Sequence, residues 1–300
     1  MIDVKAAFHD ADYVLPKSFD LGIFGSSIDD RTQYSIQYVE KYTNSSIELI
    51  YDKEQLNLVV NGDSIECHNF PIYLKEKNIS SLILDSTSLD VPELALVIKA
   101  IASIPKLEVL ILYVEPENYS GNSPIFEQET FTLSDSIIGF EGDGIPTISL
   151  PVDSHSPRKF VFFLGFEGTR LLNAIETYDV SEDEAKIVFG VPAFQSGWES
   201  KSIRSNMPTL KEYKFKGRIS YCSASSPKSA LAILREAGSS ESCEHIYVVP
   251  IGTKPNTVGA LLYILEKPEG IRLLYDQPKK KVGRSSGVGR KHFYMFTILQ

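Results

Sequence analysis

Apolar stretches long enough to form whole strands constrain the fold of this chain more than any other feature. Phe160–Leu164 is apolar at every position, so both faces of this predicted strand need to be covered by other parts of the protein. Helices on both sides of a parallel sheet provide that cover, and helical patterns follow the strand patterns repeatedly along the chain. The sequence therefore predicts an α/β fold with two Rossmann-like regions and mostly parallel sheets.

The predicted elements divide into an N-terminal α/β region at 1–115, an irregular connection at 116–158 and a C-terminal Rossmann-like region at 159–300. The connection is rich in Asn, Ser, Gly, Pro and acidic residues, with one short strand pattern at Thr130–Leu133. The strands predicted in the N-terminal region are Leu21–Phe24, Ile47–Tyr51, Leu56–Val60, Ser81–Leu84 and Val109–Val114, and its helices are Arg31–Lys41 and Pro92–Ile104. The strands predicted in the C-terminal region are Lys159–Leu164, Ala185–Phe189, Arg218–Cys222, His245–Val249, Ile271–Tyr275 and His292–Ile298. Its helices are Thr169–Thr177, a segment after Trp198, Pro227–Glu236 and Asn256–Leu265.

Composition argues against several classes of protein. No apolar run is long enough to cross a bilayer, and the N-terminus lacks the layout of a signal peptide, so we expect a cytoplasmic protein. The three cysteines have no paired spacing, which argues against a disulfide framework or a zinc site. The net charge of −9 argues against a general affinity for nucleic acids. The sequence indicates no metal, and it leaves any cofactor unidentified.

The strand that ends at Pro250 leads into the turn Gly252-Thr253-Lys254 and then into a helical pattern. The first N–H groups of a helix have no partner inside the helix, and the helix dipole is positive there. A glycine, a hydroxyl group and an ammonium group at such a helix start are therefore typical of an anion site. We predict that this turn binds a phosphate group.

Ligands of open parallel sheets bind beyond the carboxyl ends of the strands, and the loops predicted there are rich in polar and aromatic side chains. These side chains fit a nucleotide: basic and hydroxyl groups for phosphate, an indole for base stacking and carboxylates for ribose. The candidate ligand-binding residues are Arg170, Trp198, Ser223, Ser225, Gly252, Thr253, Lys254 and Asp276. Structural interpretations stay open beside this one. The serines fit a helix cap before Pro227, Trp198 fits a packing residue, and Arg170 fits a local ion pair with Glu167.

Three acids are candidates for catalysis. Asp85 and Glu115 follow neighbouring predicted strands of the N-terminal region, and a shared sheet edge would let them share a metal ion or a proton. Glu167 follows the first strand of the C-terminal region and is the third candidate. Acids at strand ends also cap helices or orient loops, and this interpretation stays open for all three.

The segment 279–291 contains six basic residues, three glycines and no acid. It fits either a solvated tail or a clamp that closes on an anion, because glycine lets backbone N–H groups approach a phosphate closely. As a clamp, the segment would contribute Arg284, Arg290 and Lys291 to the ligand.

The strand and turn at Val248–Pro255 resemble the Gly-Thr-Lys turn of CARF-type Rossmann-like domains, which sense cyclic oligonucleotides in CRISPR-associated and related bacterial defence proteins. The resemblance implies that the backbone of the turn and Lys254 approach a nucleotide-like ligand. The sequence departs from that family in lacking a recognisable nuclease or helix-turn-helix domain. Its segment Arg284–Arg290 is not part of the family's pattern either.

These observations lead to three hypotheses about function. The first is a nucleotide-binding sensor or accessory protein of a bacterial anti-phage defence system, which works with a protein partner or a second copy of itself. The second is an enzyme that cleaves a nucleotide or a nucleic acid with Asp85, Glu115 or Glu167. The third is a structural subunit of a protein complex, without a small-molecule site.

Overall fold

The computed structural model describes residues 2–9, 13–119, 133–137, 139–140, 144–149, 157–239, 245–268 and 271–298. These residues divide into two compact units, each built around its own sheet. Unit 1 contains the described residues of Met1–Asn118, Ile145–Thr147 and Ser285–Gln300. Unit 2 contains the described residues of Tyr119–Gly144 and Ile148–Arg284.

Strands and helices alternate along most of the described chain. The strands are β1 (Lys5–His9), β2 (Phe19–Phe24), β3 (Thr43–Asp52), β4 (Asn57–Val60), β5 (Asp63–Glu66), β6 (Ser81–Asp85), β7 (Glu108–Val114), β8 (Asn118–Tyr119), β9 (Ser134–Ile137), β10 (Arg158–Leu164), β11 (Ala185–Gly190), β12 (Ile219–Cys222), β13 (His245–Pro250), β14 (Ile271–Leu273), β15 (Pro278–Lys280), β16 (Ser285–Ser286) and β17 (Lys291–Thr297). The helices are α1 (Asp30–Lys41), α2 (Phe70–Glu76), α3 (Val91–Ile101), α4 (Gly168–Tyr178), α5 (Trp198–Glu212), α6 (Pro227–Ala237) and α7 (Lys254–Glu266).

The sheet of unit 1 is mixed, with the strand order β1-β17-β7-β6-β2-β3-β4-β5. The central strands β7, β6, β2 and β3 are parallel, and antiparallel strands extend the sheet on both sides. Tyr38 and Val39 of α1 pack against Ile83, Leu112 and Phe293 of the sheet. Helix α1 therefore covers one face, and the carboxyl ends of β2, β6 and β7 lie at one edge.

Unit 2 contains a five-stranded, fully parallel sheet with the order β12-β11-β10-β13-β14. The strand Phe160–Leu164 is buried on both faces, as its apolar run predicts. Helix α4 contacts α5, and α6 contacts α7, because right-handed crossovers place these two pairs on opposite faces of the sheet. The strand order reverses between β10 and β13, which makes this position the topological switch point of unit 2.

Two glycines allow the backbones on either side of the switch point to touch. A Cβ atom on Gly165, after β10, would lie 2.6 Å from the carbonyl oxygen of Ile251, after β13. A Cβ atom on Gly252 would lie 2.9 Å from the carbonyl oxygen of Leu164. A side chain at either position would push the two loops apart, so the close approach requires glycine on both sides.

The predicted α/β class with two Rossmann-like regions is confirmed. Apart from the strand pattern at Thr130–Leu133, the predicted strands and helices are present, with shifted ends in several cases; the second helix, for example, ends at Ile101 and not at Ile104. The sequence patterns did not predict β1, β5 or α2. Most side chains of β1 and β5 are exposed, and α2 buries only Phe70 and Leu74. Elements that bury so few side chains leave only a weak periodic signal.

The end of the chain differs from the predicted division, which assigns all of 159–300 to one region. Strand β17 belongs to unit 1, where it pairs antiparallel with β7 from Lys291 opposite Val114 to Thr297 opposite Glu108. Its apolar pattern predicts a strand but does not identify the strand with which it pairs. Much of the predicted connection at 116–158, with residues 130–132 of its strand pattern, lies outside the described residues. Within the described part of the connection, β9 pairs with β15.

We predict that Gly165→Ala lowers the free energy of unfolding by about 1–3 kcal/mol, the usual cost of forcing extra atoms into a packed site. Gly217→Ala is the matched control, because nothing lies within 4 Å of a Cβ atom at Gly217. Urea unfolding of the two variants measures the difference. Equal stabilities would mean that the loops separate without cost, and would contradict the close contact at the switch point.

Candidate functional site

The loop that follows β12 crosses the carboxyl edge of the sheet of unit 2. Ala224 N donates to Pro192 O at 3.0 Å, which holds the loop over the end of β11. Thr253 Oγ1 donates to Ala224 O at 2.6 Å, which holds the same loop at the start of α7. Two strands separate β12 from β13 in the sheet, so this loop brings Ser223 and Ser225 across the edge to the switch point.

Helix α7 begins at Lys254, beside this loop. Thr253 is the N-cap of α7, and its Oγ1 accepts a hydrogen bond from Asn256 N at 3.4 Å. Asn256 Nδ2 in turn donates to Ser223 O at 2.9 Å. The structure thus brings together the predicted residues Ser223, Ser225, Gly252, Thr253 and Lys254. Because the Thr253 hydroxyl is used within the protein, the backbone of the turn is the group here that suits a ligand. Lys254 is the first residue of the helix.

Arg170 and Asp276, both predicted to bind the ligand, bind each other. Arg170 Nε donates to Asp276 Oδ2 at 2.7 Å, and Arg170 Nη2 donates to Asp276 Oδ1 at 2.5 Å. Burial lowers the pKa of Arg170, but the hydrogen bonds and the charge of Asp276 outweigh it, so the pKa is raised. Arg170 is 8% exposed and Asp276 is 0% exposed. This buried, bidentate pair ties the first turn of α4 to the loop after β14.

Glu167, the candidate catalytic acid of unit 2, binds the start of β9. Glu167 Oε1 accepts hydrogen bonds from Leu133 N at 3.0 Å and Ser134 N at 2.9 Å. Glu167 Oε2 accepts a hydrogen bond from Ser134 Oγ at 3.0 Å and lies 3.8 Å from Arg170 Nη1. Both carboxylate oxygens have partners within the protein. Glu167 therefore has the contacts of an acid that orients a loop.

Trp198 and the serine turn before Pro227 have structural contacts. Trp198 packs against other rings, and the turn caps a helix. The Trp198 ring centroid lies 4.9 Å from that of Tyr119 and 6.0 Å from that of Phe166. Only 7% of Trp198 is exposed, so it packs within an aromatic cluster. In the serine turn, Ser226 Oγ accepts a hydrogen bond from Ser229 N at 3.1 Å and caps α6.

Helix α5 supplies two side chains at the switch point that the sequence did not reveal. Ser202 Oγ and Asn206 Nδ2 donate to Gly165 O at 2.8 and 2.9 Å. Asn206 is fully buried, and its Oδ1 has no hydrogen-bond partner among the described residues. A buried acceptor without a donor costs free energy, so this oxygen marks a position that suits a water molecule or a hydroxyl group. In the sequence, Asn206 looks like any polar residue on the surface of a helix.

Asp85 in unit 1 is buried and fully hydrogen-bonded. Asp85 Oδ2 accepts hydrogen bonds from Ser35 Oγ at 2.7 Å and Ser88 Oγ at 2.5 Å. Asp85 Oδ1 accepts one from Thr87 N at 2.9 Å. Burial raises the pKa of Asp85, although these hydrogen bonds oppose the shift. The side chain joins α1 to the loop after β6, which is the role of an acid that orients a loop.

Glu115 follows β7 and pairs with His292 at the start of β17. Glu115 Oε1 lies 2.5 Å from His292 Nε2, and the two residues are 8% and 5% exposed. Burial, together with the neighbouring Tyr113 and Glu115, raises the pKa of Tyr294 beside this pair. A buried carboxylate–imidazole contact has the geometry to move a proton. Asp85 is bound by groups of α1 and of the loop after β6, whereas Glu115 contacts His292.

The basic segment is divided between the two units, and parts of it form β15, β16 and the start of β17, so it is not a solvated tail. Its first lysines lie in β15 of unit 2, which pairs with β9. Arg284 follows in unit 2, and its buried Nε has no hydrogen-bond partner among the described residues. The cations of Arg290 and Lys291, in unit 1, lie over the rings of Phe8 and Tyr34 at 4.7 and 5.1 Å.

Two of the three glycines of the segment approach acids of unit 1. A Cβ atom on Gly289 would lie 2.9 Å from Glu115 O, and a Cβ atom on Gly287 would meet the side chain of Glu117. Gly287 N also donates to Asp30 Oδ2 at 3.2 Å. We predicted that these glycines let the backbone approach a phosphate closely. In unit 1, the backbone of Gly287 and Gly289 instead approaches the protein's own residues.

Helix starts at the carboxyl edges carry different charges in the two units. In unit 1, Asp29 caps α1, Asp30 follows it, and Asp90 precedes α3. In unit 2, Glu167 precedes α4 and Glu199 lies in the first turn of α5, whereas α6 and α7 begin without an acid. The first turns of α6 and α7 instead contain Lys228 and Lys254. A cation near the positive end of a helix dipole is unfavourable, so these starts suit an added negative charge.

Neither of two comparisons with known proteins assigns this chain to a family. No protein-family model matches the sequence. A search of curated proteins found no match. Within the described residues, no group of three or more His, Cys, Asp or Glu side chains is placed to hold a metal ion. None of the described helices combines the length and the apolar character that a membrane crossing requires. A function therefore has to be inferred from the geometry of the chain itself.

We expect Asp85→Asn to keep the fold, because a neutral amide replaces a carboxyl group whose pKa is raised by burial. Asp85→Ala should lower the free energy of unfolding by about 2–5 kcal/mol, since buried donors that lose their acceptor cost ~1–3 kcal/mol each. The raised pKa also stabilises the fold below the unfolded pKa of 3.8, and this contribution is lost as the pH rises through the folded pKa. The free energy of unfolding of the wild type relative to Asp85→Asn should thus fall above about pH 4. Urea unfolding over a pH series tests this, and a relative stability that rises with pH would contradict it.

Proposed function

We propose that unit 2 binds a phosphorylated, nucleotide-like ligand at the carboxyl edge of its sheet, with the start of α7 as the phosphate-binding element. The phosphate would lie against the backbone of Gly252-Thr253-Lys254 and the Lys254 ammonium group. Ser223 and Ser225, which the loop after β12 brings to this position, would contribute hydroxyl groups. The protein would act as a sensor or an accessory protein in the cytoplasm.

The difference between the helix starts of the two units carries this proposal. Unit 1 places its own acids at the starts of α1 and α3, so its helix dipoles are already matched by negative charge. At the switch point of unit 2, the acid Glu167 lies at the start of α4, whereas α7 begins without an acid and with Lys254. An anionic ligand would supply the charge that the start of α7 lacks.

The biological setting of the proposal rests on the resemblance of Val248–Pro255 to the turn of CARF-type domains. A sensor of this kind responds to a ligand without consuming it, which agrees with the structural contacts of Asp85 and Glu167. We therefore place the protein in a bacterial anti-phage defence system, where a protein partner or a second copy would transmit the signal.

A second candidate function is favoured by the Glu115–His292 pair in unit 1. A carboxylate that holds an imidazole at 2.5 Å resembles the acid–base pairs of hydrolytic enzymes. An enzyme that cleaves nucleotides would consume its ligand, whereas a sensor would release it intact. Chromatography of a nucleotide after long incubation with the protein separates the two functions.

Lys254→Ala should weaken nucleotide binding by about 1.5–3 kcal/mol, the scale of a hydrogen bond to a charged group. The melting temperature should stay nearly unchanged, because Lys254 is only partly buried. Titration calorimetry of the full chain with AMP, ADP and ATP measures the affinities. Lys267→Ala is the matched control, since Lys267 is exposed at the opposite end of the same helix. If both variants bind as the wild type does, the start of α7 is not the phosphate site.

A further inference from the structure

Strand β1 forms one edge of the sheet of unit 1, beside β17. The hydrogen bonds between β17 and β7 determine which backbone groups of β17 are left for β1. Glu115 N donates to Arg290 O at 2.9 Å, and Ile298 N donates to Leu107 O at 3.0 Å, both in the register of this ladder. Bonded and non-bonded pairs alternate along antiparallel strands. Even-numbered residues of β17 therefore bond to β7, and odd-numbered residues bond to β1.

Two residues of β1 direct their backbone groups away from the sheet. Ala7 lies opposite Phe293, an odd-numbered residue of β17, so Ala7 bonds to β17. Its neighbours Ala6 and Phe8 then direct their N–H and C=O groups to the outer side of β1. No strand among the described residues pairs with that side. A row of unpaired backbone groups of this kind is a template for another strand.

Strand β1 lacks the features that keep edge strands from pairing. Its register with β17 is regular, it contains no proline, and its one lysine, Lys5, is its first residue. Phe8 is 59% exposed. The ring of Tyr13 stacks on that of His9 at 3.9 Å, and the next residue, Val14, is 68% exposed. Exposed apolar side chains therefore accompany the free backbone groups of this edge.

The opposite edge of the same sheet is protected by charge. Strand β5 has four residues, and two of them, Asp63 and Glu66, are acids. Each chain has a net charge of −9, so two copies that met at β5 would add to their repulsion. Strand β1 contains no acid. The β1 edge therefore suits contact between two copies of the chain, and the β5 edge opposes it.

We propose that two copies of this chain pair antiparallel through β1, with a two-fold axis at Ala7. Ala6 of each copy then lies opposite Phe8 of the other, so the free backbone groups of the two edges form four hydrogen bonds. Ala7 meets Ala7 of the second copy in a non-hydrogen-bonded pair, where the Cα atoms are about 4.5 Å apart and a methyl side chain fits. The inference identifies a second copy as the partner, and it does not depend on the phosphate site of unit 2.

Sedimentation equilibrium of the full chain measures the mass and the dissociation constant of the pair. The wild type should approach twice the mass of one chain as its concentration rises. Ala6→Pro should raise the dissociation constant about tenfold or more, since each copy loses one outward donor. The ladder between β1 and β17 keeps its bonds, because the Ala6 N–H group is not part of it. A wild type that keeps the mass of one chain would overturn the proposal.

Ser64→Pro is the matched control for Ala6→Pro. Ser64 is exposed in β5, at the opposite edge of the sheet. Asn61 N donates to Glu48 O, and the same alternation along β4 and β5 directs the Ser64 N–H group away from the sheet. Ser64→Pro should pair as the wild type does. Equal dissociation constants for the two proline variants would show that the copies meet elsewhere, and would overturn the pairing through β1.

A charge exchange at Ala7 tests the position of the axis. Ala7 is exposed, so Ala7→Lys and Ala7→Glu should both fold, which circular dichroism checks. Each variant alone should sediment with the mass of one chain, because like charges lie directly opposite each other at the axis. An equal mixture of the two should recover the mass of the pair. A mixture that stays at the mass of one chain, or single variants that pair as the wild type does, would contradict a two-fold axis at Ala7.

Discussion

The backbone contact across the switch point of unit 2 is the constraint on which the proposed site depends. Gly165 and Gly252 each lie so close to the opposite loop that a Cβ atom would collide with a carbonyl oxygen. Because the two loops touch there and then turn to opposite faces of the sheet, α4 and α7 begin beside the same point. Ser202 and Asn206 of α5 hold the carbonyl group of Gly165, which keeps the loop after β10 in this position.

Unit 1 provides an internal comparison for the charge at such an edge. It has a similar close approach, since a Cβ atom on Gly25 would lie 2.8 Å from Ser88 O. In unit 1, however, the negative charges of Asp29 and Asp90 lie at the positive dipole ends of α1 and α3. Two edges of similar backbone geometry thus differ at the start of α7, where the protein supplies no acid of its own. The proposed ligand of unit 2 takes the place that acids occupy in unit 1.

The sequence predicted the parts of the structure that follow from local pattern. Phe160–Leu164 is a buried parallel strand, and the turn after β13 begins a helix, because apolar runs and capping residues act over a few positions. The contacts that define the roles of Arg170 and Glu167 could not be predicted in this way. Arg170 pairs with Asp276, 106 positions away, and the partner of Glu167 lies in a segment of weak pattern. The pairing of β17 with β7 likewise depends on which sheet has an open edge. The periodicity of the sequence does not contain this information.

Chemical-shift mapping of backbone amides with ATP tests the central claim most directly, because it locates the ligand without a mutation. If the carboxyl edge of unit 2 is the binding site, the amides of Gly252–Lys254, Asn256 and Gly165–Thr169 should shift with the same saturation curve. The amides of Asp29–Thr32, at the acid-matched start of α1, should not move. Shifts confined to unit 1, or none at saturating ATP, would contradict the account.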